Sequence, residues 1–77
     1  MKKIGVIGAG SWGTALANTL ANKGHQVKIW DINQDHLKSM EKFRENKAFL
    51  PEVHLHDNIT ISYTIEETLK DADIGLF

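Results

Sequence analysis

The chain has 77 residues, 42% hydrophobic and 25% charged, with nine basic against ten acidic side chains and a formal net charge of −1. These are ordinary values for a soluble globular domain; the chain is too short for a two-domain enzyme and lacks the basic excess that nucleic acid or an anionic membrane selects. It contains no cysteine, which excludes a disulfide framework, a thiolate zinc site and a thiol nucleophile, and no apolar run is long enough for a signal sequence or a membrane span.

Met1-Lys2-Lys3 leads directly into the apolar run Ile4-Gly5-Val6-Ile7, which reads as a first strand. Gly8-Ala9-Gly10-Ser11-Trp12-Gly13 follows without interruption. A strand that ends in G-x-G-x-x-G and opens a helix is the fingerprint of a dinucleotide-binding βαβ unit. The three glycines have separate tasks there. Gly8 permits the tight turn, Gly10 lets the main chain approach a pyrophosphate, and Gly13 lets the helix lie against the strand. The helix N-terminus then offers unpaired N–H groups and a partial positive charge to the phosphates.

Thr14 to Lys23 reads as the first helix, with Ala15, Leu16, Thr19 and Leu20 at helical spacing and Gly24 as its stop. Val27-Lys28-Ile29-Trp30 is a second strand closed by Asp31, where an acidic side chain is expected to accept hydrogen bonds from the adenosine ribose; capping of a turn is the alternative for it. Asn33 is the expected N-cap of a second helix from Gln34 to Glu45, with Leu37, Met40 and Phe43 on its apolar face. His36, in its first turn, reads as surface. Asn46-Lys47-Ala48-Phe49-Leu50-Pro51 reads as an irregular connection and Val53-His54-Leu55-His56 as an alternating segment. Ile59 to Ser62 is a third strand, Thr64-Ile65-Glu66-Glu67 a capping box opening a short helix to about Lys70, and Asp73 to Phe77 the beginning of a fourth strand. The order βαβαβαβ predicts an α/β fold: a Rossmann-type doubly wound parallel sheet, cut off in its fourth strand, with the cofactor at the carboxyl ends of the strands. His54 and His56 share a face but lack a third ligand at suitable spacing, so no metal site is expected.

The sequence Gly8 to Ala17, G-A-G-S-W-G-T-A-L-A, resembles the amino-terminal signature of bacterial NAD(P)-dependent glycerol-3-phosphate dehydrogenases. Val27-Lys28-Ile29-Trp30, Asn46 to Pro51 and Asp71-Ala72-Asp73-Ile74 each stand where that family carries a similar segment, so the resemblance runs along essentially the whole chain. It implies an oxidoreductase that interconverts sn-glycerol 3-phosphate and dihydroxyacetone phosphate by hydride transfer, in the cytoplasm, for phospholipid synthesis. It also implies that Ser11 and Trp12 sit at the pyrophosphate and that Phe49 lines the cofactor side of the cleft. Each has a plainer alternative: Ser11 as an N-cap, Trp12 as packing against the next helix, Phe49 as a plug in the core.

The cofactor-binding set expected from these readings is Gly8, Gly10, Ser11, Trp12, Gly13, Asp31 and Phe49. No catalytic residue is expected within residues 1–77, since the family's catalytic lysine and phosphate-binding groups belong to later strands and a carboxyl-terminal helical domain. The chain therefore reads as the amino-terminal part of a longer enzyme, inactive and association-prone alone, whose oligomeric state would depend on the other domain. Asp31-Ile32-Asn33 departs from the basic residues that many members place after the second strand. A carboxylate at ~4 Å from a 2′-phosphate is repelled by ~1 kcal/mol in water and ~4 near a protein surface. NAD is accordingly the expected cofactor, with NADP the lesser one. A non-enzymatic NAD-sensing regulatory domain and another Rossmann dehydrogenase are the rival readings.

Overall fold

Alternation along three short strands sets the core. In the computed structural model, which describes residues 1–77, β1 (Lys3–Ile7), β2 (Gln26–Trp30) and β5 (Ile59–Ile61) run parallel and in register. Their side chains form two rows, Ile59–Val27–Ile4 and Ile61–Ile29–Val6, and all six are buried. Each contributes about 1.5–3 kcal/mol relative to exposure. The last strand, β6 (Ile74–Leu76), extends both rows from the other side of β1. The sheet order is β5-β2-β1-β6, which places the topological switch beside β1. The doubly wound parallel sheet expected from the sequence is the observed architecture.

Helices α1 (Ser11–Asn22) and α2 (Gln34–Phe43) cover the isoleucine and valine rows, seating Ala17, Ala21, Leu37 and Met40 on them. The short α3 (Ile65–Leu69) lies on the opposite face, where the row alternates to Gly5, Lys28 and Thr60. Lys28 Nζ bridges to Glu67 at 3.0 Å there. That hydrogen bond and charge hold the Glu67 carboxyl below its ordinary range. The approach of α3 to β1 is so close that a Cβ on Gly5 would stand 2.6 Å from the Thr68 carbonyl oxygen. Gly5→Ala is therefore expected to destabilise by about 1–3 kcal/mol, read as a lowered thermal midpoint.

The helix ends follow local chemistry. After α1, the N–H groups of Gly24 and His25 return to the carbonyls of Ala21 and Leu20 at 2.9 and 3.2 Å, with Gly24 at φ 95°; this is a Schellman stop. Asn33 caps α2 by accepting from the His36 N–H at 3.1 Å. Thr64 caps α3 by accepting from the Glu67 N–H at 3.0 Å, while the Glu67 side chain turns to Lys28 instead of closing the capping box.

Five expectations need correction. Helix α1 begins at Ser11, not Thr14, with Gly10 as N-cap. Its fully buried residues are Gly13, Thr14, Ala17 and Ala21, because the tight glycine turn brings it near the sheet; of the row Ala15, Leu16, Thr19 and Leu20, Leu20 packs at the edge of the core. Helix α2 stops at Phe43, where Arg44 adopts φ 51°. Phe43 is 47% exposed, flanked by the ammonium groups of Lys42 and Lys47 at 5.3 and 3.7 Å from its ring centroid, instead of joining the core. Finally, the stretch expected to be irregular contains a small antiparallel ladder of β3 (Glu45–Asn46) and β4 (Leu50–His54). Asn18 of α1 fastens its far end, donating to the His54 carbonyl and accepting from the His56 N–H.

Candidate functional site

Residues 8–10 leave the carboxyl end of β1 at the switch point and turn directly into α1. Gly8 sits at φ 119°, a region closed to most side chains, and its N–H donates to the Trp30 carbonyl at 2.7 Å. The Ala9 N–H donates to Asp31 Oδ1 at 2.9 Å. The Ala9 carbonyl accepts from Asn46 Nδ2 and from His36 Nε2, both at 2.9 Å. Every hydrogen-bonding group of Ala9 is thus held from the protein side, and the residue is fully buried.

Beyond Ala9 the pattern reverses. Helix α1 has no side-chain cap, and the N–H groups of Gly10, Ser11, Trp12 and Gly13 find no acceptor in the protein. Those donors and the helix dipole make a shelf suited to an anion, with Gly10, Ser11 and Trp12 exposed on it and Gly13 buried at its base. Two glycines beside the shelf have distinct reasons. A Cβ on Gly13 would meet the Gly8 carbonyl oxygen at 2.1 Å, so this glycine is required by the fold itself. A Cβ on Gly10 would meet nothing within 4 Å, and Gly10 has an ordinary extended backbone at φ −80°. The protein alone does not need glycine there.

Ser11 is the first residue of α1 and not its cap, since Gly10 occupies that position; its exposed hydroxyl lies beside the free donors. Trp12 is 67% exposed and Phe49 58% exposed. Neither packs into the core formed by residues 1–77. Phe49 meets His36 edge-on, with ring centroids 5.5 Å apart and planes at 87°. Asp31 stands at the end of β2 as expected, with Oδ1 on Ala9 and Oδ2 accepting from the Asn33 N–H at 3.1 Å. Each of its oxygens keeps a lone pair for a further donor.

Three residues of this region lie outside the set expected from sequence. His36 is not merely surface: it is half-buried and bonded to the loop. Asn46 is fully buried and satisfies the loop, Thr14 and Phe49 together. Arg44, the chain's single arginine, spends Nη2 on the carbonyls of His56 and Ile59 at 2.8 Å each. Its Nη2 is thus committed to backbone carbonyls. No group of three histidine or acidic side chains is placed to hold a metal. The concave grooves lie on the α3 side, around Lys28 and Thr60; the glycine loop is an open shelf and not a cavity.

Comparison with known proteins bears on this geometry. Residues 3–77 match the family model of the NAD-dependent glycerol-3-phosphate dehydrogenase N-terminus. Over 74 residues the chain is 49% identical to glycerol-3-phosphate dehydrogenase [NAD(P)+] of Agathobacter rectalis, covering 96% of this chain and 22% of that protein. A relative of the same description from Bacillus velezensis is 44% identical over 73 residues, covering 95% and 21%. The crystal structure of glycerol-3-phosphate dehydrogenase from Coxiella burnetii superposes with a TM-score of 0.90 at 34% identity, over 95% of this chain and 23% of that one. The chain spans about a fifth of the length of these relatives.

Proposed function

This chain belongs to the NAD-dependent glycerol-3-phosphate dehydrogenase N-terminus family, and on that premise we propose that residues 1–77 are the front of the dinucleotide-binding domain of such an enzyme. The observation that carries the reading is the shelf of unpaired N–H groups from Gly10 to Gly13. In this proposal the cofactor pyrophosphate lies on that shelf and over Gly10. Ser11 donates its hydroxyl to a phosphate oxygen, Trp12 and Phe49 shield the cofactor, and Asp31 accepts from a ribose hydroxyl. The nicotinamide, when bound, supplies the hydride chemistry that interconverts glycerol 3-phosphate and dihydroxyacetone phosphate. The role of residues 1–77 is to hold and orient that cofactor. The proton-transferring and substrate-binding groups belong to a carboxyl-terminal domain, where subunit contacts would also form. No helix is long and apolar enough to cross a membrane; a cytoplasmic enzyme supplying phospholipid synthesis is part of the proposal. The sensor and other-dehydrogenase alternatives are not favoured by a family match that runs from residue 3 to residue 77.

Cofactor preference follows from Asp31. Its carboxylate gains about 1.5–3 kcal/mol from a ribose hydroxyl, whereas a 2′-phosphate meets repulsion, with Arg44 Nη2 and Lys28 Nζ engaged elsewhere. Calorimetric titration is expected to show saturable NADH binding at least about tenfold tighter than NADPH. Asp31→Ala should weaken NADH and narrow that ratio. Equal or tighter NADPH binding by the unaltered protein would overturn the preference, and failure of the folded protein to bind either would overturn the function.

A further inference from the structure

The Ala9–Gly10 peptide is the hinge of the shelf, and two side chains from elsewhere in the fold hold it. Its carbonyl accepts from Asn46 Nδ2 and from His36 Nε2, each at 2.9 Å. A trans peptide directs its N–H opposite to its C=O. Pinning the Ala9 oxygen toward His36 and Asn46 therefore turns the Gly10 N–H outward, onto the side where it has no protein acceptor. The neighbouring peptide is fixed in the same manner: the Ala9 N–H points to Asp31 Oδ1, which sends the Gly8 carbonyl toward Gly13, 2.1 Å from where a Cβ would stand.

The two clamping residues are unequal. Asn46 is fully buried and also serves Thr14 Oγ1 and the Phe49 N–H, so its loss would disturb the fold at several points. His36 is half-buried and makes one side-chain hydrogen bond, to Ala9. A carbonyl oxygen only accepts, so neutral His36 carries its proton on Nε2. Its backbone is set by the Asn33 cap at the start of α2, and its ring meets Phe49 edge-on at 5.5 Å. One imidazole thus touches both the peptide that presents the innermost free donor and the exposed aromatic beside it.

We propose that His36 is a positioning residue for the cofactor: through the Ala9 carbonyl it orients the Gly10 N–H toward a phosphate oxygen, and through its ring it holds Phe49 over the same site. The inference rests on the dinucleotide reading given above and adds to it a residue that touches no cofactor atom. A glutamine in place of His36 keeps an N–H at the reach of Nε2, while a leucine keeps bulk and removes the donor.

The test compares His36→Leu with His36→Gln in the native-length protein, by NADH titration and by the amide resonance and exchange of Gly10 before cofactor is added. His36→Leu is expected to raise the NADH Kd by about tenfold, the equivalent of one hydrogen bond, and to shift the ligand-free Gly10 amide. His36→Gln is expected to restore both. Should His36→Leu not fold, His36→Asn, whose amide falls short of the Ala9 oxygen, makes the same comparison. Variants that bind NADH like the unaltered protein, or that weaken it equally while Gly10 stays unmoved, would overturn the positioning role and leave the dinucleotide reading standing. An unaltered, folded protein that binds neither NADH nor NADPH would overturn both.

Discussion

Gly13→Ala is expected to lower the thermal midpoint by roughly 8–16 °C and to abolish measurable cofactor binding. Helix propensity argues the other way, since alanine in a helix is favoured over glycine by about 1 kcal/mol. The decisive contact is the Gly8 carbonyl oxygen, 2.1 Å from the position of the added Cβ. That oxygen has no freedom to yield. The Gly8 N–H is tied to Trp30, the Ala9 N–H to Asp31, and the Ala9 carbonyl to His36 and Asn46. Helix α1 must move away instead, opening its contact with the Val6–Ile29–Ile61 row. Overpacking of about 3 kcal/mol, less the propensity gain, leaves about 2 kcal/mol, which for a domain of this size is the stated fall in midpoint. The same movement carries the free donors of Ser11 and Trp12 off the positions proposed for the phosphates. Gly10→Ala supplies the contrast. Its Cβ enters open space, so melting should change by no more than about 0.5 kcal/mol while NADH affinity falls. A Gly13→Ala protein that melts and binds normally would refute the close approach of α1 and β1.

The same pair of glycines shows which parts of the molecule are legible in sequence. The parallel sheet is readable because Ile4, Val6, Val27, Ile29, Ile59 and Ile61 alternate locally, and the loop because its glycines follow a strand and precede a helix within a few residues. The buried face of α1 is not. Leucine periodicity points to Leu16 and Leu20, but the close approach of helix and sheet at Gly13, a tertiary quantity, fully buries Thr14, Ala17 and Ala21 and leaves Leu20 packed at the edge of the core. The β3–β4 ladder is hidden by Pro51, which reads locally as a break, while the φ of 67° at Glu52 has no sequence signal. The clamp is hidden for a different reason. His36 and Asn46 reach Ala9 across 27 and 37 residues, and Arg44 reaches the His56 and Ile59 carbonyls across a separate loop. Polar side chains that bond to backbone have no periodicity. In sequence, a histidine in a first helical turn and an asparagine in a connection look like surface.

Asn46 carries the second large effect, because every polar atom of its amide is committed inside the protein. Nδ2 donates to the Ala9 carbonyl at 2.9 Å and to Thr14 Oγ1 at 2.8 Å, and Oδ1 accepts from the Phe49 N–H at 3.0 Å. Both Asn46 and Thr14 are fully buried, so water cannot replace the bonds to Ala9 and Thr14 without opening the structure. Asn46→Leu removes all three bonds at nearly constant volume. His36 still serves Ala9, leaving the Phe49 N–H and the Thr14 hydroxyl as the orphaned groups, at about 1–3 kcal/mol each. A loss of about 2–6 kcal/mol is expected, a large part of the stability of a small domain, read as a fall in the denaturant midpoint. Asn46→Asp separates hydrogen bonding from shape. At neutral pH its carboxylate would face the Ala9 carbonyl with no proton to donate, whereas burial favours the neutral acid, whose O–H serves one of the two acceptors. The Asn46→Asp defect is therefore expected to shrink as pH falls from about 8 to about 5, while the Asn46→Leu defect stays constant over that range. Equal pH dependence in the two variants would show that Asn46 acts by filling space and not by holding the loop.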